Sequence, residues 1–378
     1  MLIQLGLMGV LVALLPISIV WASGDADKYR KLAWVTLFLT FDLIMFGAFT
    51  RLTDSGLGCP DWPGCYGHAN PLQAHANISA AEALLPDGPV TVMKAWIEMI
   101  HRYLAMAVGV LIVALVAVAW RGWLKSGRRD RKFLPLLPSV LLAFVCLQGA
   151  FGAWTVTMKL QPVIVTTHLL LGLSLLALLG WLGMRQNDPL AAAAPAPALA
   201  GAAGFGLLLL GVQIALGGWV STNYAALACS DFPLCHGMLF PEMDFGHGFS
   251  LWRELGKTGA GEYLPYPALT AIHWVHRNFA LVVIAYLAWL GWRALGIAHL
   301  RRPARWLLAA LGLQLSTGLA TVFLNWPLAI AVLHNGGSAL LVLLLVMLNY
   351  NIRYLPRRAP ASVSAGAPTP AHLRNPYL

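Results

Sequence analysis

Charge is what this sequence has least of. Asp, Glu, Lys and Arg make up 11% of its 378 residues, under half of the roughly 25% usual in a soluble domain. That shortage excludes a water-soluble globular protein. With 59% hydrophobic residues and a mean hydropathy of +0.70, it predicts an all-α polytopic membrane protein. Acids are rarest, 15 against 25 Lys and Arg, which leaves a net charge of +10. Such a surplus suits nucleic acid, but no nucleic-acid motif is present and no such partner is expected. Cysteine is sparse as well: of five, four form two Cys-x5-Cys pairs, and Cys146, inside an apolar run, is expected to be plain packing. The first apolar run lacks the basic residues that open a signal peptide. Val20-Trp21-Ala22 loosely resembles a cleavage site, yet the run is read as a retained helix, with cleavage as the alternative.

Apolar runs near 2–21, 32–50, 93–120, 134–157, 163–184, 200–221, 269–292, 304–325 and 328–350 are long enough to cross a bilayer. With the N-terminus outside, the inside connections collect Lys28, Arg30 and Lys31; Arg121, Lys125, Arg128, Arg129, Arg131 and Lys132; Arg185; Arg293, Arg301, Arg302 and Arg305; and Arg353, Arg357, Arg358 and Arg374. Outside remain Arg51, Lys94, Lys159, Arg253 and Lys257. The positive-inside rule turns this asymmetry into an orientation. The long loops at about 51–92 and 222–268 are then outside and the C-terminus inside. The Ala/Pro tract at 191–199 reads as an inside linker, and the tail beyond Arg358, rich in Pro, Ala and Ser, as disordered.

The two halves match each other. Cys59-Pro60-Asp61-Trp62-Pro63-Gly64-Cys65, preceded by Gly47, is echoed by Cys229-Ser230-Asp231-Phe232-Pro233-Leu234-Cys235, preceded by Gly217. Glu98-x-x-His101-Arg102 is echoed by His273-x-x-His276-Arg277, and Gln148, Gly152, Thr155, Val156 and His168 by Gln314, Gly318, Thr321, Val322 and His334. Each half is four helices with a histidine near the head of the second and of the fourth. Parallel repeats of this kind predict two four-helix bundles about a pseudo-twofold axis along the membrane normal, with the N-terminal transmembrane helix as an extra. The expected domains are 1–31 for that helix and its inside loop, 32–190 and 200–352 for the bundles, 191–199 for the linker and 353–378 for the tail.

Ionisable groups inside a bilayer are costly and mark function by default. At about 1.5 Å per residue, His101 and His168 sit on the order of 10 Å below the outer boundary, and His276 and His334 at similar depth. Two histidines at one depth on two helices of a bundle form a natural axial pair for a haem iron. A lone membrane histidine is often only an interhelical hydrogen bond, but four repeat-related ones are not explained that way. His273 stands where the first half has Glu98 and reads as a supporting group or as plain structure. His68, His75, His236, His247, His299 and His372 read as solvated. The glycines near Gly109, Gly172 and Gly336-Gly337 would admit a flat ring or a close helix. Arg102 and Arg277 would meet haem propionates, or else snorkel to the interface. Each Cys-x5-Cys reads as a disulfide in an oxidising compartment, with zinc and a redox role left open. Glu98, an acid in one half only, suggests that the halves do different jobs, or else it is the partner of Arg102 or Arg51.

Taken together, the Arg51-to-Cys65 segment, Glu98-x-x-His101-Arg102, His168, His276, His334 and the second cysteine pair resemble the haem A synthase family of cytochrome oxidase assembly proteins, over roughly residues 32–352. The resemblance implies an eight-helix, two-bundle fold in a bacterial inner membrane and a reaction that oxidises the C8 methyl of haem O to a formyl, giving haem A. It implies that His276 and His334 ligate a resident haem b, that His101 and His168 hold haem O as substrate, that Glu98 acts beside it, and that the Cys59–Cys65 disulfide lies over that half. Partners would be haem O and haem A, membrane lipids, an unnamed electron donor, and a haem O synthase or cytochrome oxidase assembly factors. The alternatives are a di-haem cytochrome b-like relay and a haem carrier without ring chemistry. Two features depart from the family: the leading helix, and insertions near 68–92 and 238–264.

Overall fold

A computed structural model describes residues 1–187 and 196–354. The disordered tail expected beyond Arg358, with His372, and most of the expected 191–199 linker lie outside the described residues; 197–199 belong to a helix. Among the described residues there are helices and no strands, and nine helices are long and apolar enough to cross a membrane. Lipid offers no hydrogen-bond partner, so each segment must satisfy its own backbone, which the helix does.

The long helices are α1 (Leu2–Ala22), α2 (Lys28–Leu52), α4 (Val92–Lys125), α5 (Leu136–Thr157), α6 (Pro162–Asn187), α7 (Pro197–Thr222), α9 (Tyr266–Leu295), α10 (Arg301–Phe323) and α11 (Leu328–Arg353). Local chemistry sets their starts. The Asp27 carboxylate accepts the Arg30 N–H at 3.1 Å, and the Thr91 hydroxyl accepts the Lys94 N–H at 3.2 Å, both N-caps. Two short helices, α3 (His75–Leu84) and α8 (Phe245–Gly248), fall in the loop insertions that the sequence left unplaced.

Helices α2, α4, α5 and α6 pack in a ring, each on the next, and α7, α9, α10 and α11 form the matching ring. The rings meet through α6 on α11, α2 on α11 and α6 on α7. Exchanging the halves maps this set of contacts onto itself, as a twofold axis requires. Buried apolar side chains from both rings merge into one core. Small residues let the helices approach. A Cβ on Gly180 of α6 would lie 3.1 Å from Leu343 of α11 and 3.5 Å from Leu37 of α2. Where the cysteine loops leave the rings, Arg51 donates to the Ser221 carbonyl at 2.6 Å, and the Tyr224 hydroxyl donates to Asp54 at 2.7 Å. Asp54 and Tyr224 are repeat-related, and both adopt left-handed backbone, with φ of 51° and 55°.

Helix α1 stands outside the rings and packs mainly on α4. Its Leu5, Met8 and Val12 join Met99, Tyr103 and both cysteines of the first loop in a separate cluster. Cys146 is exposed on the bundle surface, so the expectation of plain packing is corrected: with its neighbour Leu147 it lies on the outward face of α5. His299 is half-buried with its Nε2 fully enclosed, because the loop that carries it folds under α10 and α11; it is not the solvated residue expected. A Gly180→Leu substitution forces this three-helix crossing apart. It should cost about 1–3 kcal/mol, seen as a lowered thermal midpoint in detergent, whereas Gly109→Leu, with nothing near its Cβ position, should leave the midpoint in place.

Candidate functional site

Four helices carry the four histidines, and each ring leans on a glycine of a neighbouring helix. A Cβ on Gly47 of α2 would lie 3.0 Å from His101 of α4; on Gly152 of α5, 3.3 Å from His168 of α6; on Gly217 of α7, 3.0 Å from His276 of α9; and on Gly318 of α10, 3.0 Å from His334 of α11. In each ring of helices the two that carry histidines, α4 and α6 or α9 and α11, stand opposite one another. All four rings are half-buried.

Three of the histidines also meet a glutamine one turn before the glycine. The Gln148 amide donates to the His168 carbonyl at 3.0 Å, and the Gln213 amide reaches His276 Nδ1 at 3.0 Å. Gln314 lies 3.4 Å from His334 Nε2, and Thr317 adds a 3.0 Å contact to Nδ1. The fourth position in this pattern is Leu43, and His101 instead stacks on Phe46, 6.4 Å between ring centres. Gln213 escaped the sequence reading, although Gln-x3-Gly recurs three times. Gly172 packs on Gln148 with a Cβ distance of 3.2 Å, which is close side-chain packing.

Glu98 is 4% exposed and bonded on both oxygens. Oε1 accepts from Arg102 Nη2 at 2.5 Å, and Oε2 accepts the backbone N–H of Cys59 at 2.7 Å. Arg102 then donates from Nη1 to the carbonyls of Asp61, Pro63 and Gly64, at 3.1, 3.2 and 2.6 Å. Acid and arginine together hold the first cysteine loop onto α4. Arg51 is engaged elsewhere, with Asp54, Ser221 and Tyr224. In the second half, His273 Nδ1 accepts the Cys229 N–H at 3.2 Å, and Arg277 donates to the carbonyls of Pro233 and Leu234 at 3.4 and 3.1 Å. Glu98 and His273 therefore share one task, accepting the N–H of the first cysteine. Arg277 differs from Arg102 in that its Nη1 is buried without a partner.

Both cysteine pairs are disulfides, Cys59–Cys65 and Cys229–Cys235, each with Cα atoms 4.9 Å apart. Below each, an aspartate gathers two N–H groups: Asp61 those of Tyr66 and Gly67 at 2.6 and 2.8 Å, Asp231 those of His236 and Gly237 at 2.7 and 2.9 Å. Donation from Gly237 holds the Asp231 carboxyl below its ordinary range. The loops thus share a scaffold and diverge before it, where Asn223 takes the place of Thr53.

Comparison with known proteins places this arrangement. A family model described as cytochrome oxidase assembly protein matches residues 30–346. The chain is 42% identical to the heme A synthase of Shewanella oneidensis over 326 residues, 85% of this chain and 96% of that one. It is 31% identical to the heme A synthase of Sphingopyxis alaskensis, covering 82% and 87%, and 30% identical to that of Erythrobacter litoralis, covering 82% and 93%. The chain belongs to this family. Membership makes it a membrane-bound oxidoreductase. The side chains present fit a haem: opposed imidazoles seated on glycine, a buried His168 Nδ1 with no partner, and the unpaired Arg277 Nη1, suited to a carboxylate.

Removing the Glu98 carboxylate should free the first cysteine loop. A hydrogen bond to a charged group contributes about 1.5–3 kcal/mol, so Glu98→Ala should raise amide exchange at Cys59 roughly 10- to 100-fold. Glu98→Gln, which keeps one acceptor, should fall between, and exchange across Cys229–Cys235 should not change.

Proposed function

We propose that this protein is a haem A synthase of a bacterial inner membrane, oxidising the C8 methyl of haem O to a formyl. The observation that carries the reading is the 42% identity to a heme A synthase over nearly the full length of both chains. The site supports it, because one bundle has the acid beside its histidine pair and the other does not. His101 and His168 would hold haem O as substrate. His276 and His334, each with a glutamine contact, would hold a resident haem b, which supplies electron transfer when bound. Arg277 offers its unpaired Nη1 to a propionate. Arg102 is committed to the loop and Glu98, so its contribution to a propionate would require giving up a carbonyl.

The chain's own groups act as follows. Glycines 47 and 152 and their counterparts seat the imidazoles. The disulfide loop, held by Glu98 and Arg102, closes the outer end of the first bundle against water. Glu98 Oε2, freed from the Cys59 N–H, would accept or return a proton near the methyl group. The cysteine loops would face the outside and the basic ends the cytoplasm, as the basic residues of the inner connections favour.

One observation favours a second reading. His273 performs the loop-holding task of Glu98, so a symmetric two-haem relay would need no acid chemistry. Pigment analysis separates the two. Cells supplied with haem O and carrying the wild-type chain should yield haem A on extraction and chromatography. Glu98→Gln should lower haem A at least tenfold and accumulate haem O or a hydroxylated product. Wild type that yields only haem O would exclude the synthase. Alkaline phosphatase fused at position 240 should be active and fused at position 127 inactive.

A further inference from the structure

Outside the histidine bundles, a cavity of about 240 Å³ lies between the α5–α6 turn and the second loop insertion, lined by Gln161, Arg253, Glu254, Lys257 and Thr258 among others. Three of its side chains are more than nine-tenths buried: Gln161 is 8% exposed, Arg253 3% and Thr258 5%. Each has a polar atom without a partner, namely Gln161 Oε1, Arg253 Nε and Thr258 Oγ1. Three unpaired polar atoms on residues that line one small cavity are an anomaly, since buried polar groups are nearly always bonded.

The charge is more telling. Arg253 is a buried cation whose contacts are all neutral: the Asn223 side-chain oxygen, the Lys257 carbonyl at 3.2 Å and the Trp219 ring, 5.7 Å from the guanidinium carbon to the ring centre. The one carboxylate in the lining, Glu254, is spent on Lys257 at 2.8 Å. Burial depresses the Arg253 guanidinium from its ordinary value with no opposing charge. A buried ion without a counter-ion is strongly unfavourable. Water would satisfy the hydrogen bonds and leave the charge. Gln161 directly precedes α6, whose N-terminal dipole also favours an anion.

We propose that this cavity binds a phosphate group that carries or adjoins a hydroxyl. The phosphate oxygens would accept from Arg253 Nε and Thr258 Oγ1, and the hydroxyl would donate to Gln161 Oε1. The volume falls below that of a drug-sized pocket, which suits one small group. Hydrogenphosphate and a phosphatidylglycerol headgroup share this chemistry, and the cavity lies at the ends of membrane helices, within reach of either.

The test uses the full chain, delipidated in detergent and reconstituted in nanodiscs. Millimolar inorganic phosphate should raise the thermal midpoint in detergent if the source is free phosphate. Phosphatidylglycerol nanodiscs should raise it above phosphatidylcholine nanodiscs if the source is lipid. Either result supports the site, provided Thr258→Ala weakens the response about tenfold in ligand concentration and Arg253→Gln removes it. Thr258→Ala loses only a hydroxyl and keeps the test valid should Arg253→Gln fail to fold. A wild type that responds to neither ligand, or equally to sodium chloride at matched ionic strength, overturns the proposal. So does an unchanged response in Thr258→Ala.

Discussion

The outer end of the first bundle depends on one carboxylate. Glu98 is buried in the head of a membrane helix, where an uncompensated charge is strongly disfavoured. Its two oxygens are taken by Arg102 and by the Cys59 N–H. Arg102, fixed by that pair, gathers three carbonyls of the cysteine loop. Helix α1 then closes over the same cluster of Met99, Tyr103 and the cystine. Loop, helix head and extra helix therefore form one unit, and its keystone is an acid three residues before a histidine.

The second half repeats the loop and helix head of that unit without its acid. The second half keeps the disulfide, the aspartate beneath it, the arginine and the glycine-seated histidines, and meets the Cys229 N–H with an imidazole. Loop holding alone is thus satisfied without an acid. A neutral acceptor would be the less costly choice in lipid. The acid also pairs with Arg102, whereas Arg277 is left with a buried, unpaired Nη1, so the two halves balance their arginines differently.

Much of the architecture was legible because lipid simplifies the rules. Scarce charge marked the spans, and nine apolar runs became nine long helices. The repeat identified the histidines, and their helices stand opposite one another in each ring. Less legible were contacts between groups far apart in sequence. The Glu98 to Cys59 bond spans 39 residues and the Arg51 to Ser221 bond 170, and neither has a periodicity to reveal it. Gln213 was hidden for another reason: its counterpart in the first half is Leu43, so comparison of the halves erased it. The insertions carried no repeat at all, and α3, α8 and the buried Arg253 emerged only from the fold.

The departures from symmetry fall in a pattern. Leu43 replaces the glutamine that reaches the other histidines, Glu98 replaces His273, and α1 covers α4 with no counterpart helix of its length on α9 among the described residues. All three converge on His101 and its helix. His101 stacks on Phe46, whereas His168, His276 and His334 each have a glutamine amide within 3.4 Å of a ring nitrogen. His168, in the same bundle, keeps its glutamine contact, so the asymmetry within that pair is confined to His101. The changes that distinguish the halves lie on α1, α2 and α4, around a single histidine.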